Sequence, residues 1–207
     1  MSEAASGNIF VISAPSGSGK TSLANRLIAD VKGISFSISY TTRPPRGQEL
    51  AGRDYHFVDR TQFLRMIEEG RFLEWANVYG NYYGTAEAPV NEALGRNEDI
   101  LLDIDVEGAG KIRARRPDAI LIFVMPPTYP ELERRLRLRG VDDEAQIQNR
   151  LKIARDEIKG YKLYDYLVVN RDIEDSVLRL KAIVLAARSR ISRMQRAAQE
   201  ILKTFGE

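Results

Sequence analysis

The feature that most constrains this chain is a small, glycine-rich loop that ends in lysine and threonine. Its residues are Ala14, Pro15, Ser16, Gly17, Ser18, Gly19, Lys20 and Thr21. The apolar stretch 9–12 precedes the loop, and Leu23, Leu27 and Ile28 follow it at helical spacing. A strand, a glycine-rich loop and a helix form the context in which backbone N–H groups bind phosphate at a helix N-terminus. The pattern therefore predicts a nucleoside triphosphate site.

The individual residues of this loop suit that chemistry. Gly17 and Gly19 can adopt positive φ and approach phosphate oxygens closely. Lys20 supplies a compact charge for the β- and γ-phosphates, and the Thr21 hydroxyl can ligate Mg²⁺. Ala14 stands where the usual pattern has its first glycine, so we expect a negative φ there. The alternative is a Ser/Gly-rich turn with an exposed lysine, which the flanking strand and helix disfavour.

Composition narrows the class of protein. The chain has 207 residues, with 31 Lys+Arg against 29 Asp+Glu and a net charge of +2. This balance predicts neither a nucleic-acid nor a membrane partner. The sequence contains no cysteine, which excludes disulfides and thiolate zinc sites and fits a reducing compartment. No signal-peptide core or bilayer-length apolar run is expected, so we predict a cytoplasmic protein.

Strands and helices alternate along the chain. We predict strands at 34–39, 55–58, 100–105, 119–125 and 166–170, and helices at 59–70, 107–115, 130–139, 144–160 and 172–202. We predict short strands or turns at 72–76 and 81–85, and a loop at 40–49 because of its prolines and glycine. The alternation favours an α/β fold with a parallel sheet covered by helices, of the P-loop NTPase type.

The middle third departs from this plan. It is rich in tyrosine and arginine and poor in long apolar runs, which indicates a small α+β lobe inserted into the main fold. We therefore predict a single domain, 1–207, whose core comprises 8–36, 98–128 and 156–207. The inserted lobe spans 37–90, and a helical lid spans 129–155.

Two carboxylates and a set of arginines could serve phosphate chemistry. Asp103 and Asp105 end a predicted strand, where alternation places them on one face, so a Mg²⁺ contact there competes with simple capping of the strand end. Most arginines of the predicted lid fit a solvated helix face. Arg135 and Arg139, however, share a helix face, and Arg150 could reach the same phosphate across the Gly140 turn.

The inserted lobe offers a second anion site. Arg43 and Arg46 flank two prolines, and guanidinium groups match phosphate oxygens bidentately. Tyr55 and Tyr83 could donate hydroxyls to the same anion, although each taken alone fits a structural role. His56, Phe72 and Trp75 are expected to be structural.

With these pieces identified, nearly the whole chain resembles the guanylate kinase family, which transfers the γ-phosphate of ATP to GMP. Beyond the phosphate loop, the resemblance is carried by segments 36–43 (FSISYTTR), 52–55 (GRDY), 72–76 (FLEWA), 81–85 (NYYGT), 102–105 (LDID) and 135–140 (RLRLRG). Tyr40 stands where the family often has a smaller residue. The resemblance implies a cytoplasmic ATP:GMP phosphotransferase of purine nucleotide metabolism, which uses Mg²⁺ and accepts GMP and dGMP.

The resemblance also assigns residues. It implies that 14–22, including Ser22, and Asn170 bind ATP, and that Thr21 ligates Mg²⁺ with Asp103, whose contact is either direct or through water. The implied GMP-binding residues are Ser39, Arg43, Arg46, Tyr55, Glu74, Tyr83, Thr85, Asp103 and Asp105. The implied catalytic residues are Lys20, Arg43, Arg135, Arg139 and Arg150.

The chemistry of guanine agrees with two of these assignments. Guanine presents adjacent N1–H and N2–H donors beside the O6 acceptor. The Glu74 carboxylate can accept from both donors, and the Ser39 hydroxyl can donate to O6. Adenine has a bare acceptor at N1, which would face the carboxylate without a proton between them.

Three other functions are considered. A guanylate-kinase-like module that binds phosphopeptides would use the same lobe but would not need an intact phosphate loop. A kinase for a ribose phosphate would have no use for a guanine-reading Glu74. A basic last helix could bind nucleic acid, but the low net charge and lack of interleaved aromatics favour a solvated face or a homo-oligomer contact.

Overall fold

The computed structural model of the chain describes residues 7–78, 80–140 and 143–206. The strands are β1 (Ile9–Ser13), β2 (Ile34–Phe36), β3 (Tyr40–Thr41), β4 (His56–Phe57), β5 (Phe72–Val78), β6 (Asn81–Ala86), β7 (Asp99–Asp103), β8 (Ile120–Met125) and β9 (Tyr166–Val169). The helices are α1 (Lys20–Asp30), α2 (Arg60–Glu68), α3 (Glu87–Gly95), α4 (Val106–Arg115), α5 (Tyr129–Leu138), α6 (Glu144–Glu157), α7 (Ile173–Arg188) and α8 (Ile191–Thr204). A 3-10 helix covers Ile158–Leu163.

The main sheet is parallel throughout and has the order β2-β7-β1-β8-β9. Strand β1 lies at its centre, where Val11 is in register with Leu102 on one side and Leu121 on the other. All five residues of β1 are buried, as expected for a strand covered on both faces. The predicted α/β fold is confirmed.

Side-chain alternation along β1 supplies two separate cores. Phe10 and Ile12 pack with residues of α1 and α7, including Leu27 and Leu180. Ile9 and Val11 point to the opposite face and pack with α3 and α4. Because helices cover both faces, the carboxyl ends of the strands are the open edge at which a ligand can bind.

A second, mixed sheet has the order β4-β3-β6-β5. Helix α2 closes it through Phe63, which stacks on Phe72 with ring centroids 4.5 Å apart. Gly84 makes room for this pair, since a Cβ there would lie 2.9 Å from the Phe72 ring. This small α+β unit is inserted in the chain between β2 and β7, which pair with each other in the main sheet, as the composition of the middle third indicated.

Two predictions about this region are wrong in detail. The strand predicted at 34–39 ends at Phe36, and the Ser37 N–H makes the last bond to Leu101. The chain then crosses to the second sheet, where Tyr40 and Thr41 form β3 instead of a loop because they pair with β6 and β4. Tyr40 stacks on His56 at 4.6 Å between ring centroids.

Helix α3 was not predicted. Its buried residues Val90, Ala93 and Leu94 pack on the main sheet, and the lobe boundary expected at residue 90 falls inside it. Proline in its first turn and a nine-residue length weaken the sequence pattern that would reveal it.

The single helix predicted at 172–202 is wrong, because the chain breaks between α7 and α8. Arg190 is extended, with φ −60° and ψ 142°, and the Ser189 hydroxyl donates to the carbonyl of Leu185. Helix α7 packs on the core, whereas every residue of α8 is at least partly exposed. Within the described ranges, no helix is both long and apolar enough to cross a bilayer.

Candidate active site

The glycine-rich loop joins β1 to α1 at the open edge of the main sheet. Gly17 and Gly19 have φ of 91° and 88°, the left-handed values that favour glycine. Among the described non-glycine residues only Asn97 has positive φ, so the negative φ expected at Ala14 is confirmed. Gly19 also precedes the first turn of α1, whose free N–H groups and dipole favour an anion.

Asn170 supports this loop from behind. It follows β9, is 6% exposed, and donates from Nδ2 to the Ser18 carbonyl at 2.8 Å. Its Oδ1 accepts from the Ser176 hydroxyl at 3.2 Å. A Cβ on Gly19 would lie 2.5 Å from Asn170 Nδ2. Its side chain is thus bound to the phosphate loop and to α7.

Lys20 begins α1 and points across the sheet edge to β7. Its ammonium pairs with the Asp103 carboxylate and donates to the Ile104 carbonyl at 3.3 Å. Burial alone would lower the pKa of Lys20, but the charge and hydrogen bond of Asp103 outweigh it and raise the pKa. Lys20 is therefore held as a cation beside the loop.

Asp105 is placed differently from the sequence prediction. Strand β7 ends at Asp103, and Asp105 caps α4 by accepting the Gly108 N–H at 2.7 Å. Strand alternation does not put the two carboxylates on one face, contrary to the prediction, since Asp105 lies outside the strand. The two nevertheless line one cavity, because the chain turns there from β7 into α4.

That cavity lies between the two sheets. From the main sheet it is lined by Lys20, Thr21, Asp103 and Asp105, and from the second unit by Ser39, Tyr55, Glu74 and Tyr83. Six of the nine residues predicted to bind GMP, and both residues predicted to hold the metal, thus line one cavity with the phosphate-loop lysine. The other three predicted GMP residues, Arg43, Arg46 and Thr85, do not line it.

Glu74 is the buried acid of this cavity. It lies on β5, is 6% exposed, and is in register with Thr85 of β6. Its Oε1 accepts from the Thr85 N–H at 3.1 Å and the Thr85 hydroxyl at 2.6 Å. Burial raises the pKa of Glu74 to about 7, against the lowering effect of Thr85. Thr85 itself is fully buried and contacts the carboxylate instead of lining the cavity.

Arg43 is also buried behind the cavity, at 6% exposure. Its Nη1 and Nη2 donate to the two carboxylate oxygens of Glu49 at 2.8 and 2.9 Å. Its Nε donates to the Tyr83 hydroxyl at 3.2 Å. Glu49 was not among the predicted site residues, although it is the only acidic residue in the segment 40–49.

A second, adjoining cavity contains the glycine-rich loop. It is lined by residues 14–22 together with Arg46, Tyr55, Tyr83, Asp105, Arg135, Arg139 and Arg150. Arg135 donates to Glu131 and to the Asn170 carbonyl at 3.0 Å, and Arg150 donates to the Ser16 hydroxyl at 2.9 Å. The exposed Arg134 and Arg137 pair with glutamates instead, as expected of a solvated helix face.

Helix α5, which carries Arg135, packs directly on the loop. A Cβ built on Gly17 would lie 2.9 Å from Leu136 and 3.0 Å from Leu132. Those leucines belong to a small core shared by α5 and α6. The predicted lid therefore has its own hydrophobic centre and meets the phosphate loop at Gly17.

The chain matches known proteins over most of its length. The family model described as guanylate kinase matches residues 6–187. A guanylate kinase of Koribacter versatilis is 52% identical over 193 residues, which cover 92% of this chain and 83% of that protein. One of Myxococcus xanthus is 49% identical over 189 residues, covering 91% and 90%. The crystal structure of guanylate kinase from Anaplasma phagocytophilum matches with a TM-score of 0.76 and 36% identity, covering 92% and 90%.

Proposed function

The chain belongs to the guanylate kinase family, and from that premise we propose that it transfers the γ-phosphoryl group of ATP to GMP or dGMP. The products are ADP and the corresponding nucleoside diphosphate. One observation carries the proposal: the cavity with the phosphate loop and the cavity with Glu74 adjoin, and both are lined by Lys20, Thr21, Tyr55, Tyr83 and Asp105. A phosphoryl group passing between the two cavities stays beside Lys20.

The donor nucleotide binds in the cavity of the glycine-rich loop. Backbone N–H groups of residues 16–22, at the N-terminus of α1, hold the phosphates, and Lys20 neutralises charge at the β- and γ-groups. In this proposal, Asn170 serves ATP by fixing the Ser18 carbonyl and hence the loop, since its side chain is buried in that bond.

The donor set also fits magnesium. Mg²⁺ prefers oxygen ligands and commonly takes only one or two from the protein, with substrate phosphates and waters completing its shell. Thr21 and Asp103 offer a hydroxyl and a carboxylate on one cavity wall, and they would hold the ion, Asp103 directly or through water. When bound, the ion supplies positive charge to the phosphates.

The acceptor binds in the cavity of Glu74. The Glu74 carboxylate accepts from guanine N1–H and N2–H, while the Ser39 hydroxyl donates to O6. Thr85 serves by fixing Glu74 Oε1. Arg46, Tyr55 and Tyr83 line the adjoining cavity of the glycine-rich loop, and they bind the acceptor phosphate. The buried guanidinium of Arg43, which donates to Tyr83, adds positive charge beside them.

Transfer follows from this placement. An oxygen of the acceptor phosphate forms a bond to the γ-phosphorus while the bond to the β,γ-bridging oxygen breaks, and ADP leaves. The acceptor oxygen is already ionised, so no general base is needed. Lys20, Arg135, Arg139 and Arg150 neutralise the charge that spreads over the transferring group, which is the main contribution a protein makes to this reaction.

A non-catalytic phosphopeptide module is the alternative from another class. Such a module would need the tyrosines and arginines of the inserted lobe but not a phosphate loop. Here Lys20 is held in place by Asp103, and arginines of α5 and α6 line the loop's cavity. These contacts support catalysis.

The test is ADP release from ATP, measured with GMP, AMP, CMP and UMP as acceptors. We expect GMP to be preferred by about 10³-fold or more in kcat/KM, because a buried acid built for two donors rejects bases that lack them. Equal rates with AMP would contradict the assignment of Glu74. Stoichiometric GMP or phosphopeptide binding without ADP release would favour the non-catalytic module.

A further inference from the structure

The carboxylate of Glu49 bonds to two positions of the segment between β3 and β4. Its two oxygens accept from Arg43 Nη2 and Nη1, at 2.9 and 2.8 Å. The second oxygen also accepts the backbone N–H of Arg46 at 2.8 Å. One side chain thus fixes both the guanidinium of Arg43 and the backbone that carries Arg46.

Most N–H donors of the Arg43 guanidinium are already bonded to protein groups, so Arg43 cannot bind an anion bidentately as it stands. Besides Glu49, its Nη1 donates to the Pro44 carbonyl at 2.7 Å and its Nε to the Tyr83 hydroxyl at 3.2 Å. These bonds engage all three nitrogens of a group with five N–H donors. A phosphate could grip Arg43 bidentately only after Glu49 moved away, which would also break the bond to Arg46.

The bond to Tyr83 sets the direction of a hydroxyl proton. A tyrosine hydroxyl has one O–H donor and lone pairs that accept. Because Arg43 Nε already donates to Tyr83, the oxygen acts there as acceptor and its own hydrogen points elsewhere. Tyr83 lines both cavities, so the hydrogen can be offered to an anion within them.

Arg43 supports the neighbouring tyrosine as well. Its guanidinium carbon lies 5.2 Å from the centre of the Tyr55 ring, and the rings of Tyr55 and Tyr83 meet edge to face at 6.0 Å. A cation held over an aromatic ring is favourable at such distances. The position of Arg43 therefore affects the positions of both cavity-lining hydroxyl groups, those of Tyr55 and Tyr83.

We propose that Glu49 is a positioning residue for the acceptor phosphate: by fixing Arg43 it keeps the Tyr83 hydroxyl turned so that its proton is donated into the cavity. This inference deepens the proposed function and rests on it. Glu49 itself does not touch the nucleotide. It acts through Arg43 and Tyr83, and it also keeps the backbone of Arg46 in place.

The test variant is Glu49→Gln, which keeps the length of the side chain but removes its charge and places an N–H₂ group among donors. We expect KM for GMP to rise about 10- to 100-fold, the size of one or two charge-assisted hydrogen bonds. KM for ATP should stay within about 3-fold, because the phosphate loop is untouched. Glu98→Gln is the matched control, since Glu98 pairs with Arg96 far from both cavities, and it should leave both constants unchanged.

A double-mutant cycle with Tyr83→Phe tests the route. If Glu49 acts mainly through the Tyr83 hydroxyl, the effect of Glu49→Gln on KM for GMP should be at least about 3-fold smaller in the Tyr83→Phe background than in the wild type, because coupled residues are not additive. The effect that remains belongs to the bond between Glu49 and the backbone of Arg46. An equally large effect in both backgrounds would overturn the proposed route. A fall in KM for GMP would also overturn the proposal, since it would make Glu49 a competitor of the phosphate.

Folding is checked by thermal unfolding of each variant. Glu49→Asp, which retains the charge, should recover part of the affinity for GMP even if Glu49→Gln unfolds at a lower temperature. Failure of the aspartate variant to bind GMP better than the glutamine variant would contradict a role for the charge. A wild-type protein that does not phosphorylate GMP would instead contradict the proposed function, so the two failures are distinguishable.

Discussion

Glu74 is a buried acid whose protonation should control acceptor binding. Its pKa is raised to about 7, mainly by burial, so the empty site carries a largely protonated carboxyl below that pH. Only the ionised form accepts from both guanine donors. We therefore expect GMP affinity, measured by calorimetry between pH 5.5 and 8, to rise with pH through about 7 and then level off.

Glu74→Gln is the matched variant, because glutamine does not titrate and opposes an N–H₂ group to guanine N–H donors. Its GMP affinity should be lower and nearly independent of pH, and its kcat/KM for GMP should fall by about 10²- to 10⁴-fold while that for AMP falls far less. An unchanged pH profile in the variant would assign the titration to another group. Equal losses for GMP and AMP would make Glu74 structural.

The same shift predicts the pH dependence of stability. The pKa of Glu74 is higher in the folded protein than the ordinary value of 4.5, so the folded state binds more protons between pH 4.5 and 7. The contribution of Glu74 to stability therefore falls as pH rises through that window. Above about pH 7 the folded protein carries the full cost of a buried charge, which GMP binding would offset.

At this scale the sequence indicated which residues gather, but not what each contacts. The phosphate-loop pattern predicted Lys20, strand-end position predicted Asp103, and the family resemblance assigned Glu74; the three side chains line one cavity. These signals could not indicate that Thr85 and Asn170 turn their side chains to protein partners. The sequence does not distinguish a polar residue that hydrogen-bonds to another side chain from one that faces a ligand. For the same reason Glu49 was not predicted.

Among the secondary-structure elements, the contact between α5 and the glycine-rich loop carries a prediction. Gly17→Ala would place a Cβ 2.9 Å from Leu136 and 3.0 Å from Leu132, at a φ of 91° that disfavours alanine. We expect α5 to be displaced, with KM for ATP raised and kcat lowered, about 10-fold or more together in kcat/KM. Steady-state kinetics with saturating GMP measure this loss.

Gly70→Ala separates the contact from the backbone strain. Gly70 also has positive φ, 65°, but a Cβ there meets nothing within 4 Å, so this variant should lose some stability and keep its kinetics. Adding Leu136→Ala to Gly17→Ala should recover part of the ATP affinity if the collision is the cause. No recovery would place the damage in the loop backbone alone.

Elements with strong periodicity were predictable, and those defined by pairing were not. The apolar run of β8 and the capped helix α2 follow from local pattern. Strand β3 has two residues and exists only because β4 and β6 pair with it, which no local pattern reveals. The break between α7 and α8 was also missed, since apolar residues continue beyond Arg190 although they no longer pack on the core.

At the scale of the whole molecule, the reaction requires parts of the chain that are distant in sequence. The cavities combine the loop at 14–22, tyrosines of the inserted unit and arginines of α5 and α6. Arg46 of the inserted unit and Arg150 of α6 line the same cavity. Transfer in water would favour hydrolysis, so an enzyme of this kind must exclude solvent when both substrates are present.

We therefore predict that the inserted unit and the segment carrying α5 and α6 close on the main sheet when both nucleotide sites are filled. Small-angle scattering should give a smaller radius of gyration with a bisubstrate analogue that joins adenosine and guanosine through phosphates than without ligand. The analogue with two adenosines should compact the protein less, because it cannot satisfy Glu74. An unchanged radius with the guanosine analogue would contradict the predicted closure. It would mean that the cavities are already closed in the protein without ligand, and that an opening motion is then needed to release the products.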